Sequence, residues 1–308
     1  MKSSAVLSVC LLAVGADAFV SHAPLHARGS LCRPTEARCL LPSSTATRAT
    51  RGRTSVAIRM GDTEWSKTTL VETDKVATGL HALTIKSGDI GKGYTVPGQY
   101  VQLKVGDGKA NYFAIASAPC PEGDTEGLLE FLIKATDSTT PLVTAKTGDT
   151  IEMSPVMGKG FLIKENFSGY KYDFPIQNVV LSATGTGIAP IRAAIESGVL
   201  ELPDEEDDGV FGRSCKLYWG CLDEESMPWA DKMKEWDARG VEVVPVLSEP
   251  SSSWTGRTGF VQEAIKEDGI RLPRNSGVLV CGHSGMADEV KTMALAAGVL
   301  DGRVLANY

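Results

Sequence analysis

The chain lacks the cysteine spacing of a zinc site or of an iron–sulfur ligand set. Three of its seven cysteines, Cys10, Cys32 and Cys39, lie in the first 60 residues; Cys120, Cys215, Cys221 and Cys281 remain, at intervals that fit neither pattern. No iron–sulfur module or metal site is expected, and a disulfide scaffold does not suit a chain of this length. The apolar run at 5–14 is too short to span a bilayer, so no membrane span is expected in the mature protein. No internal repeat is apparent. Beyond residue 60 acidic residues outnumber basic ones. The whole chain has a net charge of −7, yet residues 1–60 hold Lys2 and seven arginines against only Asp17 and Glu36. The remainder is therefore thirteen charges negative. That balance argues against nucleic acid and anionic membrane surfaces as partners, and suits a small molecule or a basic protein.

What is present at the start reads as an address. Met1-Lys2, the apolar run and the small residues Gly15-Ala16-Asp17-Ala18 make a signal peptide over 1–18. Residues 19–60 are rich in Arg, Ser, Thr and Ala and nearly free of acids, as transit peptides are. A signal followed by Phe19 and a transit-like stretch resembles the two-part presequence of algae with secondary plastids, which implies a plastid (chloroplast) location. A secretory signal with a pro-region is the alternative.

Two architectures follow. Between residues 65 and 161 short alternating segments at 67–73, 80–85, 100–105, 112–116, 128–134 and 150–153 are separated by turn signals such as Pro97-Gly98 and Gly148-Asp149. Six short strands at this spacing predict an antiparallel six-stranded β-barrel. A short helix is expected at Pro141-Leu142, and a polar linker over 166–175. Strands then alternate with helices: strands at 179–181, 216–220, 241–247, 277–281 and 303–307, helices at 188–198, 229–239, 259–266 and 285–297. That order predicts a parallel-sheet, Rossmann-like nucleotide-binding domain. The domains are expected at 61–166 and 174–308. The acidic run Asp204–Asp208 reads as a solvated surface loop, with partner docking as the alternative.

The most informative stretch is NVVLSATGTGIAPIR, from Asn178 to Arg192. An apolar strand meets Thr184-Gly185-Thr186-Gly187 and opens into a helix near Ile188. Gly185 and Gly187 are free to adopt positive φ and let the backbone approach a ligand. The free N–H groups at the helix start favour an anion. Pro190 suits the first turn and Gly198 the C′ position. This pattern is a diphosphate cradle, or else a plain strand–loop–helix connection; the stretch alone does not choose.

Further motifs do. Pro97-Gly98-Gln99-Tyr100, Asn111–Ser117 (NYFAIAS), Gly148-Asp149 with Pro155, Gly158 and Phe161, TGTGIAP, Leu217-Tyr218-Trp219-Gly220 and Cys281-Gly282 with Met286 occur in this order, ahead of a terminal Tyr308. Together they resemble the ferredoxin–NADP reductase superfamily over nearly all of residues 65–308, and within it the small plant fruit-protein-like oxidoreductases. The resemblance implies FAD in the barrel, NADH or NADPH on the second domain, and an electron-carrier protein as partner.

It also implies a set of site residues. Tyr112 or Phe113 lies against the flavin, with the backbone of Ile115, Ala116 and Ser117 at its polar edge and Asn111 and Ala114 among the cofactor-binding positions; a core strand is the other reading of the Ala114 and Ile115 side chains. Lys134 is a further cofactor-binding position, and Ser138, Thr139 and Thr140 serve the flavin diphosphate, although helix capping explains the hydroxyls equally well. Thr184, Gly185, Thr186, Gly187, Ile188 and Pro190 hold the nicotinamide dinucleotide, joined by Gly220, Gly282 and Met286. Cys281 and Tyr308 take the catalytic positions beside the nicotinamide and flavin rings; a small buried thiol is the other reading of Cys281. Ser248 and Glu249 end a strand where NADP-specific relatives place Arg or Lys. A carboxylate there repels a 2′-phosphate and favours NADH, with Arg257 as the opposing charge.

Four positions depart from the pattern. The family's flavin-phosphate Arg falls on Asn111, its Tyr on Phe113, its Ser on Ala114, and a Glu near the C-terminus on Ala306. Loss of the Arg pair costs on the order of 1.5–3 kcal/mol in flavin binding, unless Lys109 substitutes. Hydride transfer, which depends on proximity and orientation, tolerates these losses better than ferredoxin oxidation does. Two functions fit these residues. One is a flavin-dependent oxidoreductase moving hydride from NAD(P)H to FAD and electrons on to an acceptor. The other is a nucleotide-sensing or scaffold protein that has kept the fold.

Overall fold

The computed structural model describes residues 64–120, 127–169, 171–203 and 213–307. The presequence reading of 1–60, the acidic run Asp204–Asp208 and Tyr308 lie outside the described residues.

Six strands form the first sheet: β1 (Ser66–Ala77), β2 (Leu80–Lys86), β3 (Tyr100–Lys104), β4 (Asn111–Ala114), β5 (Leu128–Lys134) and β6 (Thr150–Met153). Their order is β4-β3-β6-β1-β2-β5, antiparallel throughout. The two edges then meet. Ile115 bridges Phe131, the Ala116 N–H donates to the Glu130 carbonyl at 2.7 Å, and the Glu130 N–H donates to Ser117 Oγ at 3.1 Å. Closure satisfies backbone groups that an open edge would expose. Alternate residues point inward, so Leu83, Ile85, Val101, Leu103, Leu129, Phe131, Ile133 and Ile151 share one fully buried core. A short helix, α1 (Thr140–Val143), sets Leu142 into that core.

The segment expected as a polar linker begins instead as a packed helix, α2 (Ile163–Phe167). Ile163 and Phe167 are one turn apart and both buried. The Phe167 ring lies where a Cβ on Gly277 would stand, 2.5 Å from its nearest ring carbons.

The second sheet comprises β7 (Asn178–Thr184), β8 (Ser214–Cys221), β9 (Val241–Leu247), β10 (Arg257–Thr258), β11 (Ser276–Cys281) and β12 (Val304–Asn307). All pairs are parallel, in the order β10-β9-β8-β7-β11-β12. The two-residue β10 was too short to produce a periodic signal. Successive side chains alternate between faces. Val179, Leu181, Leu217, Trp219 and Leu279 pack with α3 (Ile188–Glu196) and α4 (Met233–Ala238). Val180, Tyr218, Val278 and Val280 pack with α5 (Val261–Asp268) and α6 (Ser284–Ala297). The helix expected over 229–239 is shorter than its pattern: Trp229 sits at φ +59°, and a tight turn at Ala230–Lys232 leads into α4.

All described residues belong to one compact unit. Leu80, Ala82 and Leu132, on the outer face of the barrel, join the same core as α3. Arg192 of α3, itself buried, donates two hydrogen bonds to the Glu130 carboxylate of β5, at 2.5 and 2.8 Å. Its Nε donates to Glu196 at 2.9 Å, and its guanidinium lies 4.3 Å from the Trp229 ring centroid. No helix among the described residues is long and apolar enough to cross a membrane.

Candidate functional site between the barrel and the strand ends

Strand order reverses between β7 and β11. The chain runs outward from β7 through β8, β9 and β10, then returns to β7's other side for β11 and β12. Loops leaving neighbouring strands at such a point diverge and open a crevice at their C-terminal ends. Thr184 and Cys281 stand at those ends.

Glycines make the crevice narrow-walled. Gly185 has φ +55° and nothing within 4 Å of where a Cβ would sit. Gly187 differs from the expectation: its φ is −64°, an ordinary helical value. The residue is required by contact instead, because a Cβ there would lie 2.3 Å from the Cys281 carbonyl oxygen. Gly282 has φ +138°, and its Cβ would meet Thr184 Oγ1 at 2.2 Å. Thr184 Oγ1 accepts from the His283 N–H at 2.9 Å and ties the two loops together. The N-termini of α3 and α6 thus follow directly on the two loops that this contact joins.

The Cys281 side chain is buried and donates to the Asn307 carbonyl at 3.0 Å. Burial pushes its pKa up to about 12, so it is a neutral thiol at physiological pH. Asn307 in turn donates from Nδ2 to the Gly98 carbonyl at 2.8 Å, which fastens the end of β12 to the barrel.

A cavity of about 790 Å³ opens in front of these groups. Tyr100, Tyr112, Phe113 and Ala114 form its barrel side, with Leu132 and Lys134. Thr184, Gly185, Thr186, Gly187, Ala189, Pro190, Cys281, Gly282, His283 and Asn307 form the opposite side. Tyr112 is 63% exposed, and Tyr100 meets it edge-on with ring centroids 5.8 Å apart. The volume and the mostly apolar walls suit a flat aromatic ligand. A second cavity, of about 670 Å³, shares Lys134, Thr184, Gly185, Thr186 and His283 with the first. It continues past Gly220, Asp223, Ser248, Phe260 and Met286.

Eleven of the expected site residues therefore meet in the first cavity: Tyr112, Phe113, Ala114, Lys134, Thr184, Gly185, Thr186, Gly187, Pro190, Cys281 and Gly282. Gly220, Ser248 and Met286 line the second. The rest are placed elsewhere. Ile188 is buried in the α3 core. Ile115, Ala116 and Ser117 close the barrel: the Ile115 N–H donates to Gln99, and the Ala116 N–H is committed to Glu130. Asn111 Nδ2 donates to the carbonyls of Lys109 and Ser138. Thr139 is buried and donates to the Lys134 carbonyl at 2.6 Å, and Thr140 donates to the Thr136 carbonyl at 2.9 Å. Glu249 is exposed and lines neither cavity.

Arg257 is engaged by Asp268 and by Glu267 at 3.4 Å, away from both cavities. Asp268 has a pKa of about 2: burial raises it, but hydrogen bonds from Tyr218, Lys216 and Arg257 outweigh that effect. Sequence reasoning did not single out Tyr100, Asn307, His283 or Asp223 as site residues. Tyr100 belongs to the Pro97–Tyr100 motif without having been given a site role, and His283 and Asn307 sit beside quoted motif residues, adjacency being their only signal. Asp223 carried none.

Residues 181–292 match the model of the oxidoreductase NAD-binding domain. Fruit protein pKIWI502 of Actinidia deliciosa is 33% identical over 231 residues, covering 71% of this chain and 68% of the relative. CDP-6-deoxy-L-threo-D-glycero-4-hexulose-3-dehydrase reductase of Yersinia pestis is 26% identical over 68% of this chain, and the match spans 58% of that longer protein. A ferredoxin NADP+ reductase from Neisseria gonorrhoeae, solved with bound FAD and NADP, shares the fold at a TM-score of 0.62 and 17% identity. That likeness covers 80% of this chain and 98% of the other.

Proposed function

Because this chain belongs to the ferredoxin–NADP reductase superfamily, we propose that it draws hydride from NADH in preference to NADPH and passes electrons to an acceptor outside the chain. At the coarser level it is an NAD(P)H-dependent flavin oxidoreductase, with FAD and a nicotinamide dinucleotide as its cofactors. The observation that carries the reading is the shared cavity. An aromatic barrel face and a glycine-built anion site confront each other across one space, and a buried thiol stands between them.

Each group has a physical task. Tyr112 and Phe113 offer flat apolar contact to the flavin ring. Gly185, Gly187 and the first amides of α3 and α6 hold the dinucleotide diphosphate. Leu132, Ala189 and Pro190 exclude water from the space between the rings. Cys281 stays protonated, so it fixes ring position without acting as a nucleophile. When bound, the flavin supplies a two-electron acceptor able to release electrons singly. Holding both rings in one orientation is the largest contribution the chain itself makes.

The preference for NADH follows from charge. The far end of the second cavity, built by Gly220–Asp223, Ser226, Val246, Ser248 and Gly259–Gln262, has no lysine or arginine among its described residues. Asp223 lies there, and Arg257 is neutralised by Asp268. A 2′-phosphate finds no counter-ion, while free ribose hydroxyls find acceptors.

The test is colour and its loss. Protein supplied with FAD should be yellow and should bleach under anaerobic conditions on addition of NADH, more slowly with NADPH. Protein that takes up no flavin favours the scaffold alternative, to which the departures at Asn111, Ala114 and Ala306 point. For location, we read residues 1–60 as a plastid-directing presequence; fusing them to a fluorescent protein checks this by where the fusion accumulates.

A further inference from the structure

We propose that Asn307 is a positioning residue for hydride transfer: its side chain grips the barrel turn that carries Tyr100, while its carbonyl holds the Cys281 thiol. One residue thereby sets the two walls of the first cavity against each other. The link to hydride transfer rests on the reductase reading above; the grip itself does not.

On the strand-end side, β12 is the outermost strand of its sheet and pairs with β11 alone. Asn307 is its last residue and stands in register with Cys281. The end of an edge strand frays unless something outside the ladder holds it. Here the Asn307 Nδ2 bond to the Gly98 carbonyl, at 2.8 Å, does so. The Asn307 carbonyl is then fixed in front of the Cys281 thiol, which donates to it at 3.0 Å and so keeps one side-chain rotamer. Asn307, Cys281 and Tyr100 all line the first cavity. Among its described lining residues, Asn307 is the one whose hydrogen bond crosses from the strand ends to the barrel.

On the barrel side, the gripped turn is rigid. Gly98 has φ +93°, and a Cβ there would lie 2.9 Å from the Phe161 ring. The Phe161 N–H donates to the Pro97 carbonyl at 2.7 Å. Gln99 accepts the N–H groups of Thr95 and Val96 on Oε1, at 2.9 and 3.0 Å, and donates from Nε2 to the Gly158 carbonyl at 3.1 Å. The Tyr100 N–H donates to the Met157 carbonyl at 3.1 Å, and a Cβ on Gly158 would stand 2.6 Å from the Tyr100 ring. Tyr100 in turn meets Tyr112 edge-on. A shift at Asn307 therefore moves the thiol against a wall that does not follow. Hydride transfer is sensitive to such a shift, because its rate depends on the approach and orientation of the two rings.

The test compares Asn307→Ala and Asn307→Asp with the wild-type full chain. Aspartate keeps the size and the main-chain carbonyl, but its carboxylate does not donate to Gly98. The first readout is alkylation of Cys281 by iodoacetamide without nucleotide, followed by peptide mass spectrometry, with the buried Cys215 as internal control. Cys281 should react at least about fivefold faster in both variants, and Cys215 at an unchanged rate. The second readout is anaerobic reduction of FAD-loaded protein by NADH in a stopped-flow instrument. The limiting rate should fall by at least about tenfold in both variants, while the half-saturating NADH concentration moves by less than about twofold. Aspartate behaving as wild type overturns the proposal, as does equal acceleration at Cys215, which reports unfolding. A raised half-saturation with an unchanged limiting rate also overturns it, since Asn307 then serves binding. Wild type that NADH does not reduce overturns the reductase reading, and the alkylation rates still decide the grip.

Discussion

At the scale of single residues, contact decides more than conformation. Gly187 has an unremarkable φ, and only the 2.3 Å approach of the Cys281 carbonyl oxygen to its missing Cβ explains it. Gly187→Ala should therefore push the two loops apart, lowering stability by about 1–3 kcal/mol. Thermal melting checks the stability, and an NADH titration should show weaker binding. Cys281 is held protonated by burial, with a pKa of about 12, and its role is positional. Turnover should accordingly show no limb from this thiol between about pH 6 and 9, since the group ionises only well above that range. A pH–rate profile of wild type against Cys281→Ser checks this. Asn111→Arg should return a phosphate partner and tighten FMN and FAD relative to riboflavin by roughly tenfold, about 1.4 kcal/mol; fluorescence titration reads the difference directly.

At the scale of elements, the strand ends set nucleotide choice. The β9 end contributes Ser248 to the second cavity, whereas Glu249, one residue on, turns outward and donates its N–H to the Leu222 carbonyl. The expected carboxylate is thus misplaced by one position along the chain. Asp223, at the end of β8, stands in the cavity instead and accepts the Ser226 N–H at 2.8 Å. Arg257, on the edge strand β10, is drawn away by Asp268 at the C-terminal end of α5. Placing a free cation at the β9 end should reverse the preference. Ser248→Arg should raise kcat/KM for NADPH relative to NADH by at least about tenfold, in line with one charge-assisted phosphate contact. Steady-state rates with the two nucleotides measure it.

At the scale of the molecule, the site exists only because two lobes are held in register. Glu130 on β5 and Arg192 on α3 form a buried two-point pair, with Trp229 stacked on the guanidinium and Glu196 bound to its Nε. Removing the carboxylate alone leaves a buried charge without its main partner. Glu130→Ala should cost roughly 3–5 kcal/mol, seen as a lower urea midpoint, and should lower turnover by loosening the alignment of the two cavities. The Asn307 side chain, bonded to the Gly98 carbonyl, ties the end of β12 to the barrel as a second fastening.

The six barrel strands and the alternation of the second domain were legible because local rules govern them: period-two apolar patterning, turn residues and helix stops act over a few neighbouring positions. The glycine loop and Cys281 were legible because a diphosphate cradle needs particular residue types at fixed spacing. α2 was hidden because its two buried apolar side chains sit in a polar run, and β10 because two residues carry no period. Folding alone decided which donors remained available. The hydroxyls of Thr139 and Thr140, the amides of Ile115 and Ala116, the side chain of Asn111 and the guanidinium of Arg257 all belong to types that bind phosphates or flavin edges. Each is spent on a partner that the fold brings within reach, and one-dimensional spacing does not record which hydrogen bonds are already made.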